Sequence, residues 1–268
     1  MFKEKFFDEK APAIDIQSYW KEKPTEFSES IIDYINWFDK CASLQEFQKT
    51  GYIDFFHRIF NGGPIYQNVK DPGGKNCLEI GFGAGRLLNP AGKVFEKCYG
   101  IDIHNSFEKT EKILKGFGNE NFKLLNFDNL ENEIKKNNLE SSIDFIYSFI
   151  VFQHFSSWDT AENYLKICNR LLTDEGCAKI FFGRNFENNE DYIEKGMYED
   201  QAYTLLVNPD FAIKKISENF KVLDAGVIMK KPWLDKESGQ FFVLFKKKWK
   251  FFNKIPNTAQ TRQQSIFK

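Results

Sequence analysis

The apolar positions follow two different rhythms along the chain. In the first 70 residues they recur at three- and four-residue spacings: Ile31, Ile32, Tyr34, Ile35, Trp37 and Phe38, then Tyr52, Ile53, Phe55, Phe56, Ile59 and Phe60. That spacing predicts helices, and Asn61-Gly62-Gly63-Pro64 predicts their stop. From residue 74 onward, short apolar runs of strand length alternate with amphipathic stretches. Strands are expected at 76–80, 97–101, 121–126, 143–148 and 177–182, with two closing strands at 221–229 and 240–246. Helices are expected near 86–95, 106–114, 158–172 and 209–219. The run Ile143-Asp144-Phe145-Ile146-Tyr147-Ser148 is almost continuously apolar, as the middle of a parallel sheet requires. Strands alternating with helices predict an α/β fold.

The first strand runs into a turn with three glycines in five positions, Cys77-Leu78-Glu79-Ile80-Gly81-Phe82-Gly83-Ala84-Gly85-Arg86. Glycine there permits positive φ and lets a ligand approach the backbone. The second strand ends on Asp102, 21 residues past Gly81. An acid at that distance can hold the two ribose hydroxyls of a nucleoside. The dinucleotide fingerprint needs glycine at the sixth position of the turn, which is Arg86, and the phosphate-cradling loop needs a Gly-Lys-Ser/Thr ending that is absent. Glu79, two residues before Gly81, is a poor neighbour for pyrophosphate and a good one for a cation.

The E-x-G-x-G-x-G turn followed by a strand ending in Asp resembles class I S-adenosylmethionine-dependent methyltransferases. The resemblance spans about residues 74–246. It implies a Rossmann-like, seven-stranded, mostly parallel sheet with an antiparallel last strand and helices on both faces. It implies S-adenosylmethionine as cofactor and S-adenosylhomocysteine as product. Cofactor contacts are expected from Glu79, Gly81, Phe82, Gly83, Gly85, Arg86, Asp102 and Ile103. Asp128 matches the acid that takes the adenine amino group in that family, and it also reads as a turn or helix N-cap residue. Phe127 can stack on the adenine face. The segment D-F-I-Y-S-F-I-V-F-Q-H-F resembles the family's fourth-strand region, where the chain passes the methionine end of the cofactor, implicating Ser148 and Phe149.

In this organisation residues 1–73 form an N-terminal helical cap, 74–246 the cofactor-binding core, and 247–268 a basic tail. The tail reads as solvated, with an anionic or amphiphilic partner as the alternative. The segment Ile14 to Trp20 reads as packed aromatics or as an ordered flap. Residues 184–207, with Tyr192, Tyr198 and Tyr203, form a long polar and aromatic insertion, the sort of connection that carries lids or binding loops.

For a hydroxyl acceptor, a base must take the proton. His154 is the first candidate, since histidine is neutral and basic near pH 7, and a buried structural histidine is its other reading. Tyr198 and Tyr192 are candidates for orienting the acceptor. His57 reads as a core or rim histidine. His104 reads as a solvated loop residue that could flank the nucleoside. Asp159 and Asn185 lie where a metal-assisted variant would place ligands, but their spacing singles out no site, and no metal is expected.

Composition narrows the partners. A net charge of −1 argues against a general electrostatic binder of nucleic acid. Amino-group methylases of nucleic-acid bases share an Asn/Asp-Pro-Pro-Tyr/Phe motif and cytosine-carbon methylases a Pro-Cys pair, and neither occurs. DNA is therefore not an expected partner. Five cysteines without a C-x-x-C pair suit reduced, mostly buried thiols in a cytoplasmic protein. The first ten residues carry acids and no apolar core, unlike a signal peptide, and no run reaches the ~20 apolar residues of a membrane helix. Thirty phenylalanines, with abundant Lys, Asn and Ile, resemble the bias of an AT-rich bacterial genome.

The leading expectation is methyl transfer to a hydroxyl oxygen of a small molecule or of a saccharide such as a capsule-type surface glycan. The alternatives are an N-methyltransferase, an RNA or protein methyltransferase, and a non-catalytic partner subunit that binds the cofactor. A nicotinamide enzyme is disfavoured by Arg86. Oligomeric state is left open.

Overall fold

A computed structural model describes residues 16–27, 29–185, 190–194, 204–228 and 239–248. The chain opens with four helices, α1 (Ile16–Glu22), α2 (Ile31–Asp39), α3 (Leu44–Asp54) and α4 (Gly63–Asn68). Ser30 and Ser43 cap α2 and α3 by accepting from Asp33 N and Glu46 N, satisfying donors that a helix start leaves open. A wide π turn, Phe55–Ile59, continues α3.

The core follows as β1 (Asn76–Ile80), α5 (Leu88–Ala91), β2 (Lys97–Asp102), α6 (Phe107–Gly116), β3 (Phe122–Asn126), α7 (Leu130–Asn137), β4 (Ile143–Ser148), α8 (Trp158–Leu171) and β5 (Leu172–Gly183). The short strands β6 (Tyr192–Glu194) and β7 (Leu205–Val207) pair antiparallel with each other. Then come α9 (Pro209–Asn219), β8 (Phe220–Val227) and β9 (Gln240–Lys247). The main sheet has seven strands in the order β3-β2-β1-β4-β5-β9-β8. β1 to β5 pair in parallel, and β9 runs antiparallel to both β5 and β8. The expected α/β sheet with its antiparallel last strand is present.

Strand alternation divides the interior between two faces. Leu78, Ile80, Ile101 and Ile146 face one core with Ile134 of α7, Leu165 of α8 and Ile216 of α9. Cys77, Cys98, Phe145 and Tyr147 face a second core with Leu88 of α5, Ile65 of α4 and the π-turn residues Phe55 and Ile59. A third cluster joins Tyr34, Ile35 and Phe47 of the N-terminal helices to Ala84 of the glycine turn and Ile113 of α6. All five cysteines are buried and free.

Three local expectations are corrected. The helix expected over 86–95 shrinks to four residues, because Pro90 supplies no N–H and Gly92 follows within two positions. β5 begins at Leu172, directly after α8, and its pairing with β4 is irregular between Ile143 and Phe145. That irregularity absorbs Asp174-Glu175-Gly176, so the strand expected at 177–182 starts five residues earlier. His57 is exposed on the π turn. No helix among the described residues is long and apolar enough to cross a membrane.

Candidate active site

The carboxyl ends of the parallel strands open into a cavity of about 780 Å³. Its floor is the glycine turn after β1. Gly81 has φ 76°, and a Cβ there would sit 2.3 Å from a methyl of Val151. Gly83 has φ 50°, and its peptide is held from several directions. Its N–H donates to Asp102 Oδ2 at 2.8 Å, and its carbonyl accepts from Thr110 Oγ1 at 2.8 Å and from His104 Nε2 at 3.1 Å. Tyr34 of α2 hydrogen-bonds Thr110 at 3.0 Å. His104 Nδ1 accepts from Ser106 N, which leaves the ring proton on Nε2. His104 is fully buried, and burial lowers its pKa, so the solvated loop residue expected at this position is instead a neutral strut of the turn.

Asp102 stands at the tip of β2, with Oδ1 accepting from Ile103 N at 2.7 Å. Glu79 shares the Cys77 face of β1 and is 2% exposed. Its register partner on β4 is Tyr147, whose hydroxyl donates to Glu79 Oε2 at 3.2 Å. Burial raises the Glu79 pKa well above the usual carboxyl range; Tyr147 and Arg86 oppose the shift, and Asp39 and Asp102 add to it. Such a carboxyl gains strongly from a cation that restores its charge.

Arg86 is committed within the protein. Its Nε donates to Asp39 at 2.7 Å and its Nη1 to Asp54 at 2.6 Å, tying the cofactor turn to α2 and α3. At the tip of β3, Phe127 lies parallel to Tyr164 of α8 at 4.7 Å. The turn after β3 is capped by Asn126, which accepts from Asp128 N. Asp128 itself pairs with Lys21 of α1.

His154 closes a one-turn 3-10 helix, Phe152–His154, just beyond β4. Gln240 of β9 donates to Gln153 Oε1 at 2.6 Å, and Gln153 Nε2 lies 3.3 Å from His154 Nε2. An amide nitrogen only donates, so this network holds the imidazole lone pair at Nε2 and the proton at Nδ1. The Trp20 ring of α1 lies 4.8 Å from the His154 ring.

The cavity gathers most of the residues singled out in sequence: Glu79, Gly81, Phe82, Gly83, Arg86, Asp102, Ile103, Phe127, Asp128, Phe149 and His154 all line it. Three others do not. Gly85, with φ 86°, backs against Thr110 and Leu114. Ser148 is buried and donates to Ile80 O at 2.9 Å. Tyr192 lies in β6, stacked over Trp158 at 6.4 Å and beside Phe211. Tyr198 and the basic tail from residue 249 fall outside the described residues. Among the described residues no three His, Cys, Asp or Glu side chains group as metal ligands. Sequence reasoning passed over Asp39, Asp54, Lys21 and Thr110, which only the folded chain brings here. Tyr147 was findable, since it lies directly across from Glu79 in the sheet.

These residues suit S-adenosylmethionine. The turn offers side-chain-free backbone, Asp102 a carboxylate at the tip of the next strand, and Glu79 a buried carboxyl whose charged form a cation would favour. Comparison with known proteins agrees. Residues 78–178 match the family model described as a methyltransferase domain. The chain is similar in fold to an S-adenosylmethionine-dependent methyltransferase from Clostridium acetobutylicum, at 13% identity and TM-score 0.52 over 83% of this chain and 98% of that one. It is also similar to one from Methanosarcina mazei, at 17% identity and TM-score 0.50 over 70% and 98%. The N-methyltransferase NodS from Bradyrhizobium japonicum, solved with S-adenosylhomocysteine, matches at 12% identity and TM-score 0.47 over 76% and 97%. No curated protein sequence matches the chain. The chain carries a methyltransferase domain over residues 78–178. Its fold is that of the class I enzymes, and S-adenosylmethionine is the cofactor of that class.

Proposed function

We propose that this enzyme transfers a methyl group to a hydroxyl oxygen of a small molecule or of a saccharide, in a cytoplasmic setting that suits five buried thiols. The observation that carries the reading is His154. It lines the same cavity as the glycine turn and Asp102, at the carboxyl end of β4, with its lone pair held at Nε2 by Gln153.

In this reading Asp102 takes the ribose hydroxyls and Glu79 the amino group of the methionine part. Phe127 and Asp128 take the adenine. Helices α1 to α4 act as a cap, and Arg86 keys that cap to the cofactor turn. The cofactor supplies an already activated methyl group, so positioning carries much of the acceleration. His154 Nε2 would take the acceptor's hydroxyl proton once that hydroxyl displaces the Gln153 amide from the lone pair, as the new O–CH₃ bond forms. When bound, the cofactor would release the methyl group with the S–C bonding pair kept on sulfur, as a neutral thioether. Removing that proton is worth on the order of 10²–10⁴-fold.

The test is a screen with methyl-labelled cofactor, offering alcohols, phenols, sugars, amines, RNA and protein as acceptors. Label in a base-stable ether supports the reading. Label on nitrogen, or acceptance by RNA that weakens steeply with salt, replaces it.

A further inference from the structure

The cavity has a second half, which the cofactor residues do not account for. It is walled by α1, by the end of α2 and by the turn that carries His154. Its dominant surfaces are Tyr19, Trp20 and Trp37, each half-buried with part of its ring on the cavity. Trp20 sits at the centre. Its ring lies 5.6 Å from Tyr19 at 90° and 5.2 Å from Trp37 at 59°. The His154 ring lies 4.8 Å from it, at 49°. A ring that close to the proton acceptor lies beside the reacting hydroxyl.

The rest of this half is rich in neutral polar groups. Gln17, Ser18, Ser156 and Thr160 are among the residues lining the cavity. The cations nearby are separate rather than clustered: Lys21 pairs with Asp128, Arg86 with Asp39 and Asp54, and Lys40 donates to Trp37 O. A phosphorylated or sulfated acceptor would call for clustered, charge-assisted donors. A single phenol would leave most of the amide and hydroxyl groups unused. A quaternary ammonium acceptor would suit the rings but not the amides and hydroxyls.

We infer that this half of the cavity is a stacking seat for an uncharged sugar ring, with Trp20 as its platform and Trp37 and Tyr19 as its flanking walls. An aromatic face carries negative charge and a ring edge positive charge. The C–H face of a pyranose is weakly positive and apolar, and so lies flat on indole. Its hydroxyls then project sideways toward the polar wall, and one of them toward His154. The inference rests on the O-methyltransferase reading and narrows its acceptor.

The test uses the full chain saturated with S-adenosylhomocysteine. Calorimetric titration is run with methyl glycosides of glucose, galactose, mannose and N-acetylglucosamine, with 4-methoxyphenol, and with choline. At least one glycoside should bind, while the phenol and choline should not. Trp20→Ala should weaken that glycoside by roughly tenfold, the scale of one aromatic contact, and leave S-adenosylhomocysteine affinity within about twofold. Trp20→Phe should restore most of the loss, which a merely structural role would not predict. Preference for the phenol or choline, or no glycoside binding at all, overturns the sugar seat while the methyltransferase reading stands. Equal loss of S-adenosylhomocysteine and glycoside in Trp20→Ala assigns Trp20 to the cofactor and also overturns it. Failure of the wild-type chain to bind S-adenosylhomocysteine sinks both readings together.

Discussion

The two halves of the cavity are built by different means. The cofactor half is made of strand tips and backbone. Gly81 N continues the β1–β2 ladder to Ile101 O at 2.8 Å, and the Gly83 peptide is held by Asp102, His104 and Thr110. The acceptor half is made of side chains that meet from α1, α2 and the turn beyond β4, largely through ring contacts. The first half is fixed by sheet register, which a single substitution cannot loosen without collision. The second is fixed by packing of separate elements, and so can change specificity one residue at a time.

The sharpest way to break this comparison is Gly81→Val. A side chain there needs φ 76° and would collide with Val151, 2.3 Å from the new Cβ. Backbone strain and overlap together should cost several kcal/mol, so S-adenosylhomocysteine affinity should fall by more than about 100-fold. Calorimetry on the folded variant, with circular dichroism as the check on fold, reads the loss. Near-normal affinity would mean that the turn bends freely and is no rigid floor.

The next effect belongs to the other half. His154→Ala should lower turnover by roughly 100-fold or more and leave S-adenosylhomocysteine affinity almost unchanged. Unaltered turnover would return His154 to packing. A loss of cofactor affinity as large as the loss of turnover would show that the two halves are not separable.

That difference in construction also explains what the sequence alone could tell. That the glycine turn and Asp102 meet at one cavity was legible because Glu79 to Arg86 is contiguous and because Asp102 ends the next strand. Both facts depend on local chain geometry. The strand series was legible for the same reason, down to the antiparallel β9. The helix after the turn was overestimated, because Pro90 and Gly92 outweigh the apolar spacing around them. Arg86 is the instructive case. Its position in the motif suggested a ligand contact, yet its guanidinium bridges Asp39 and Asp54, which lie 47 and 32 residues away in sequence. No local pattern announces such a partner. The same holds for the meeting of Trp20 with His154 and of Gln153 with Gln240.

A smaller effect concerns His104 and pH. His104 is held neutral because burial lowers its pKa below the unfolded value, near 6.5. The unfolded chain therefore binds more protons than the native one once pH falls past that value. By linkage, the stability contributed by neutral His104 is fully present above about pH 6.5 and is lost as pH falls toward the folded pKa. His104→Gln keeps a donor for Gly83 O and removes the titration. Its melting temperature should fall less than that of the wild type between about pH 7.5 and about pH 5.5. Equal slopes would mean that other groups set the acid limb.

The smallest effect probes the seam between the halves. Lys21 belongs to α1, the acceptor-side wall, yet its ammonium rests on Asp128, the carboxylate proposed to take the adenine amino group. The ammonium occupies Oδ2 and blunts the carboxylate's charge, so an adenine amino group would compete with a surface ion pair for it. Exposed pairs of this kind hold weakly and are screened by salt. Lys21→Ala should therefore tighten S-adenosylhomocysteine binding by roughly two- to fivefold at low ionic strength, and added salt should shrink the gap between variant and wild type. If the variant instead binds more weakly, Lys21 stays on the cofactor as a ligand. In that case α1 contributes to both halves, and the division between a register-built floor and a packing-built wall would have to be redrawn through Asp128.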